Sequence, residues 1–118
     1  MNNQLINFEI INEVVGDDAD RIDEFCQAGM TSFAQFRDAY EESMLDRNMQ
    51  QLRDEGHRVK PVAQMLGLNP LLEEYEKAKK ILANGASDKK VIASVKDMQQ
   101  ICNQIIEEFQ QRAEQEKS

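Results

Sequence analysis

Gly56-His57-Arg58-Val59-Lys60-Pro61-Val62-Ala63-Gln64-Met65-Leu66-Gly67-Leu68 holds the only histidine of the chain, and its periodicity decides the fold. Wound as a helix that starts upstream of Leu52, it turns Leu52, Gly56, Val59, Ala63 and Leu66 to one side at steps of four and three. That is the stripe a surface helix packs on its neighbours. His57 falls on the opposite flank. Arg53 lies one turn before it, Lys60 and Pro61 one turn after, and Gln64 two turns after. An imidazole outside the core with cations one turn away on either side suits holding an anion better than filling space.

The same steps recur on both sides of this stretch. Leu5, Phe8, Ile11 and Val15 mark a short first helix over Leu5 to Val15, which Gly16 ends. Asp17 or Asp18 caps the next, with Asp20 complementing its positive end. Its stripe is Ile22, Cys26, Gly29, Phe33, Phe36 and Tyr40. Gly29 costs about 1 kcal/mol against alanine and marks a place for a bend. The phase change at Ser43 to Arg47 reads as the turn into the histidine helix, which Gly67 ends. Asn69-Pro70 reads as a cap followed by proline at the first helical position. That helix buries Leu71, Leu72, Tyr75, Ala78 and Leu82, and Asn84-Gly85 closes it. Ser87 caps a last helix with Val91, Val95, Met98, Cys102, Ile105 and Phe109 on a nearly strict heptad stripe, before a polar tail from about residue 114 that is expected to fray.

Four amphipathic helices with short connections predict an all-α fold, an antiparallel up-down four-helix bundle with a short additional N-terminal helix over one end. Composition agrees. The 118 residues suit a single domain spanning 1–118, with few aromatics, no tryptophan and only two prolines. A net charge of −8 argues against nucleic acid and anionic membranes, each of which asks for a basic face. Cys26 and Cys102 read as buried thiols in a reducing compartment. No apolar run reaches the length of a membrane span and no basic-then-apolar leader opens the sequence, so the expected location is the cytoplasm.

Several chemistries find no support in the sequence. Asp54 and His57 are one turn apart, but a carboxylate-bridged metal bundle draws a Glu-x-x-His pair from each of two helices, and no second histidine exists. A metal-dependent helical enzyme is therefore the weakest reading, and neither a metal nor a cofactor is expected. No nucleophile turn accompanies His57, and no glycine-rich phosphate loop with a lysine occurs, so neither acyl transfer nor ATP-dependent kinase activity is expected.

His57, Val59, Lys60 and Leu66-Gly67 together resemble the signature of histidine-containing phosphotransfer domains: histidine, an apolar residue two positions on, lysine three on, and a later Leu-Gly pair. Gly16-Asp17-Asp18 leading into a helix with Phe25 resembles the segment before the family's second helix, and the resemblance spans about Phe8 to Ala83. It implies a phosphocarrier without kinase activity of its own, in which His57 takes a phosphoryl group from a receiver-domain aspartate and passes it to another. Lys60 would stabilise the phosphoryl charge. Gln64 would donate a hydrogen bond, and Arg53 and Arg58 stand by as further cations. The implied partners are response-regulator receiver domains and a hybrid sensor histidine kinase, with Mg²⁺ held by the receiver and the carrier monomeric. Pro61 and Val62 depart from the pattern, standing where the family usually has glycine and a small or hydroxyl residue. Pro61 removes the hydrogen bond to the His57 carbonyl and predicts a kink that Gly56 helps absorb. It also favours the alternative, a bundle that docks or sequesters a receiver or another helical protein without carrying phosphate. Ile10, Met44 and Pro61 are candidates for an apolar docking patch near His57.

Overall fold

Three short polar side chains start helices by the same device. Asn7, Asp18 and Asn48 stand in extended backbone and accept a hydrogen bond from Glu9 N, Asp20 N and Gln51 N, satisfying amides that have no partner inside the helix. In the computed structural model, which describes residues 4–117, these caps open α1 (Phe8–Val15), α2 (Ala19–Leu45) and α3 (Met49–Met65). Two more helices follow, α4 (Asn69–Ala83) and α5 (Asp88–Lys117), and the described residues contain no strand. The fold class is all-α. Residues 1–3 and 118, the ends of the expected 1–118 unit, lie outside the described residues.

Several boundaries differ from the sequence reading. Leu5 to Asn7 precede the first helix and are pinned instead. The Glu108 carboxylate of α5 accepts the amides of Leu5 and Ile6 at 2.9–3.0 Å, and Asn7 N donates to Leu66 O at 3.0 Å. Asn69 is not the cap of α4: Leu68 holds that place without a side-chain bond, and Asn69-Pro70 form the first turn. The last helix does not give way to a frayed tail after Ala113: α5 runs on to Lys117, with Ala113 buried and Arg112 paired to Glu116 at 3.0 Å. Gly67 has φ 70°, a left-handed turn that costs glycine little, and it brings the chain from α3 into α4 within three residues.

Packing follows the stripes. Helix α2 lies along α5 and against α3, α4 lies against α3 and α5, and α1 rests on α2. The buried set includes Ile22, Cys26, Phe33, Phe36 and Tyr40 from α2, and Val91, Val95, Met98, Cys102, Ile105 and Phe109 from α5. On α4 the buried residues are Leu71, Tyr75, Ala78 and Ile81, while Leu72 and Leu82 are half-buried. Gly29 marks close packing. A Cβ there would come within 2.6 Å of the Phe109 ring, so α2 runs unbroken and the missing side chain admits the aromatic. One polar chain crosses the core. Ser94 Oγ donates to Glu74 Oε2 at 2.7 Å, so the Tyr40 hydroxyl, also 2.7 Å away, donates to Ser94, joining α2, α5 and α4.

Both cysteines are buried and free. Burial pushes the Cys26 thiol from 9.0 up to about 11 and the Cys102 thiol up to about 12, with Arg112 and Arg37 respectively pulling the other way. Unfolded thiols lose their protons near pH 9, while the folded ones keep them to about pH 11 and 12. In that window the unfolded state binds fewer protons, so stability falls as pH rises, by about 1.4 kcal/mol per pH unit for each thiol. Urea midpoints compared at pH 8 and pH 10.5 are expected to fall more in the wild type than in a Cys26→Ala, Cys102→Ala variant. Equal falls would show that the thiols do not contribute.

Candidate functional site

Helix α3 has two unlike sides because its apolar residues are confined to one stripe. Leu52, Gly56, Val59, Ala63 and Leu66 are buried, and Arg53, His57, Lys60, Pro61 and Gln64 are exposed. At 100° per residue the five exposed side chains fall on a single flank. Among the described residues no hydrogen bond or ion pair engages the His57 ring, the Lys60 ammonium or the Gln64 amide. The helix continues through Pro61 to Met65 despite the missing donor.

Arg58 turns the other way. Its guanidinium donates to Ser32 Oγ at 2.9 Å, to Ser32 O at 3.2 Å and to Glu55 Oε1 at 3.0 Å, which ties α3 to α2. It belongs to the scaffold and is not a free cation of the histidine flank. Asp54, the carboxylate one turn from His57, accepts from Gln50 Nε2 at 2.8 Å. Among the described residues no three His, Cys, Asp or Glu side chains gather that could hold a metal ion. Of the three docking-patch candidates, Pro61 is exposed and Ile10 half-buried, but Met44 is fully buried and drops out. Near the end of α2, it belongs to the hydrophobic core.

The sequence reading missed the support behind His57. The hydroxyl end of the Tyr75 ring, from α4, packs against α3 at Gly56, where an added Cβ would clash with Cζ, Cε1 and the hydroxyl oxygen. Lys79 sits over that ring, 4.8 Å from its centre, and pairs with Glu76 at 3.0 Å. Burial pushes the Tyr75 phenol upward, Lys79 and Arg53 pull it down, and Glu76 adds to the rise, so Arg53 and Lys79 both act on this hydroxyl. The residue before His57 is thus seated on an aromatic from the neighbouring helix. A glycine inside an apolar helical stripe is the signal, since its cost of about 1 kcal/mol asks for a close neighbour in return.

A Gly56→Ala variant must push the Tyr75 ring out of its seat, at a cost of about 1–3 kcal/mol. Its urea midpoint is expected to drop, and adding Tyr75→Leu, whose side chain ends before the clashing ring atoms, is expected to recover most of the loss. A Gly56→Ala protein as stable as the wild type would show that the helices are not in close contact there.

What this flank can do chemically is limited and specific. It offers a nucleophilic ring nitrogen to solvent, with a lysine one turn on and an arginine one turn back. Exposed side chains arranged in this way can meet a charged group at the surface of the helix. No protein-family model, no curated protein and no solved structure matches this chain. Among the described residues no helix is long and apolar enough to cross a membrane.

Proposed function

We propose that the chain is a phosphorelay intermediate that carries a phosphoryl group on His57. The observation that carries this reading is the exposed His57 ring, without a hydrogen-bond or ion-pair partner among the described residues, with Lys60 on the same flank of a buried-stripe helix. A ring nitrogen attacks the phosphorus of a receiver's aspartyl phosphate. The N–P bond forms as the acyl phosphate P–O bond breaks and the carboxylate leaves. The imidazole proton stays on the other nitrogen or passes to water. Lys60 meets the negative charge spread over the phosphoryl oxygens, and Gln64 supplies an amide hydrogen bond. Attack of a second receiver's aspartate reverses these bond changes and frees the histidine. Mg²⁺ belongs to the receiver, and the carrier needs no cofactor.

In this reading α2 to α5 form one antiparallel up-down four-helix bundle with α1 over one end. The chain is a cytoplasmic monomer that meets receiver domains, and a hybrid sensor kinase, transiently through the His57 flank. Helix packing in the order α2–α3–α4–α5 and back to α2 supports the bundle. Incubation with a ³²P-labelled receiver tests the function: acid-labile, base-stable label should appear on this chain and map to His57. Label that never leaves the receiver overturns the proposal.

Pro61 favours a second reading. Its exposed ring stands one turn beyond His57, where a partner would approach closely. Co-purification with a receiver, with the label staying on the receiver and none appearing on this chain, selects a module that docks and does not carry phosphate.

A further inference from the structure

The charge of this chain is uneven. Between Lys77 and Lys96 lie six lysines and one aspartate, in a protein whose net charge is −8. That aspartate, Asp88, is already paired with Arg47 at 2.9 Å, and Lys79 is taken by Glu76. The end of α4 and the start of α5 enclose an open groove of about 410 Å³. Lys77, Lys80 and Lys90 stand around it, and Ile81, Ala86 and Ala93 give it apolar walls. No carboxylate lines it, and among the described residues none of those three lysines has an ion pair. Residues of α3 take no part, so the groove is separate from the His57 flank.

We infer that this groove docks an acidic amphipathic segment of a partner protein, with carboxylates on Lys77, Lys80 and Lys90 and an apolar side chain against Ile81, Ala86 and Ala93. Charge complementarity chooses the occupant. A flat anionic bilayer or a polynucleotide would also meet Glu73, Glu76 and Asp97, which flank Lys77 and Lys80 outside the groove. A single narrow segment lies in the groove alone. A bare phosphate would find nothing in its apolar walls. Such docking holds a partner beside the bundle while the histidine flank stays open, with rim lysines governing encounter and salt dependence.

The test uses the full chain and a fluorescein-labelled synthetic peptide with glutamates at helical spacing around leucines. Anisotropy is expected to show binding that weakens as salt rises, and amide shifts in NMR are expected at Ile81, Ala86 and Ala93. The same peptide with glutamine for glutamate should bind at least about tenfold more weakly, as should the acidic peptide to a Lys77→Glu, Lys80→Glu, Lys90→Glu variant. If that variant loses helix by circular dichroism, the milder Lys80→Gln, Lys90→Gln variant takes its place, with a smaller loss in the same direction. No binding by the wild type, equal binding by the variants, or shifts confined to α3 overturns the inference. So does an arm in which pyrophosphate or phosphatidylglycerol vesicles bind through these lysines while the peptide does not.

Discussion

His57→Gln is expected to abolish transfer of label from a phosphorylated receiver, to below detection, while leaving the far-ultraviolet circular dichroism spectrum and urea midpoint within error. The side chain is exposed and has no hydrogen bond or ion pair among the described residues, so the change removes the nucleophile with little structural cost. No other histidine exists to take over. Lys60→Ala is expected to slow transfer roughly tenfold, about 1.4 kcal/mol. That is the scale of one charge acting across a few ångströms of wet surface, not in a dry pocket. Lys60→Arg should keep most of the rate. Equal labelling of wild type and His57→Gln would dispose of the phosphocarrier reading, and loss of helix in Lys60→Ala would make that lysine structural.

Phe109→Ala is expected to cost about 3–5 kcal/mol, a large share of the stability of a domain this size, and to lower the melting temperature by roughly 10–20 °C. Phe109 is fully buried, and three other aromatic rings meet it. Phe33 stacks at 6.1 Å, Phe25 tilts at 6.2 Å and Phe8 stands edge-on at 6.3 Å. It thereby joins α1, α2 and α5 at one point. The glycine opposite makes the prediction sharper. In the wild type, Gly29→Ala should destabilise, because its Cβ meets the Phe109 ring at 2.6 Å. In the Phe109→Ala background the clash is gone and the ordinary preference of helices for alanine, about 1 kcal/mol, returns. The substitution should therefore change sign between the two backgrounds, a coupling that a double-mutant cycle by urea denaturation measures directly. The same sign in both would mean that Gly29 is not packed on this ring.

Helix number and core stripes were legible because each helix repeats its apolar residues over several turns. A single wrong residue does not spoil such a pattern, as Ser94 shows by being buried on the stripe of α5. The α2–α3 connection was legible only as a change of phase. The left-handed residue there is Arg47, with φ 51°, in place of a glycine, and its guanidinium holds Ala86 O and Asp88 across the turn between α4 and α5. The run of α5 to Lys117 was hidden by its polar composition. Ala113 in the core and the Arg112 contacts with Asn12 and Glu116 extend a helix that propensity alone would let fray.

At the candidate site the division is similar. Exposure of His57, Lys60 and Gln64 on one flank could be read from spacing, since a 3.6-residue period places every side chain of a helix relative to its buried stripe. Which cations remain free could not be read, because Arg58 and Lys79 are taken up by Ser32, Glu55, Glu76 and Tyr75, partners that lie on other helices or beside them. Periodicity along one chain is local and survives in the sequence. Contact between helices depends on how α3 and α4 are set against each other, and only the folded protein decides that a tyrosine from α4 seats itself where Gly56 leaves room.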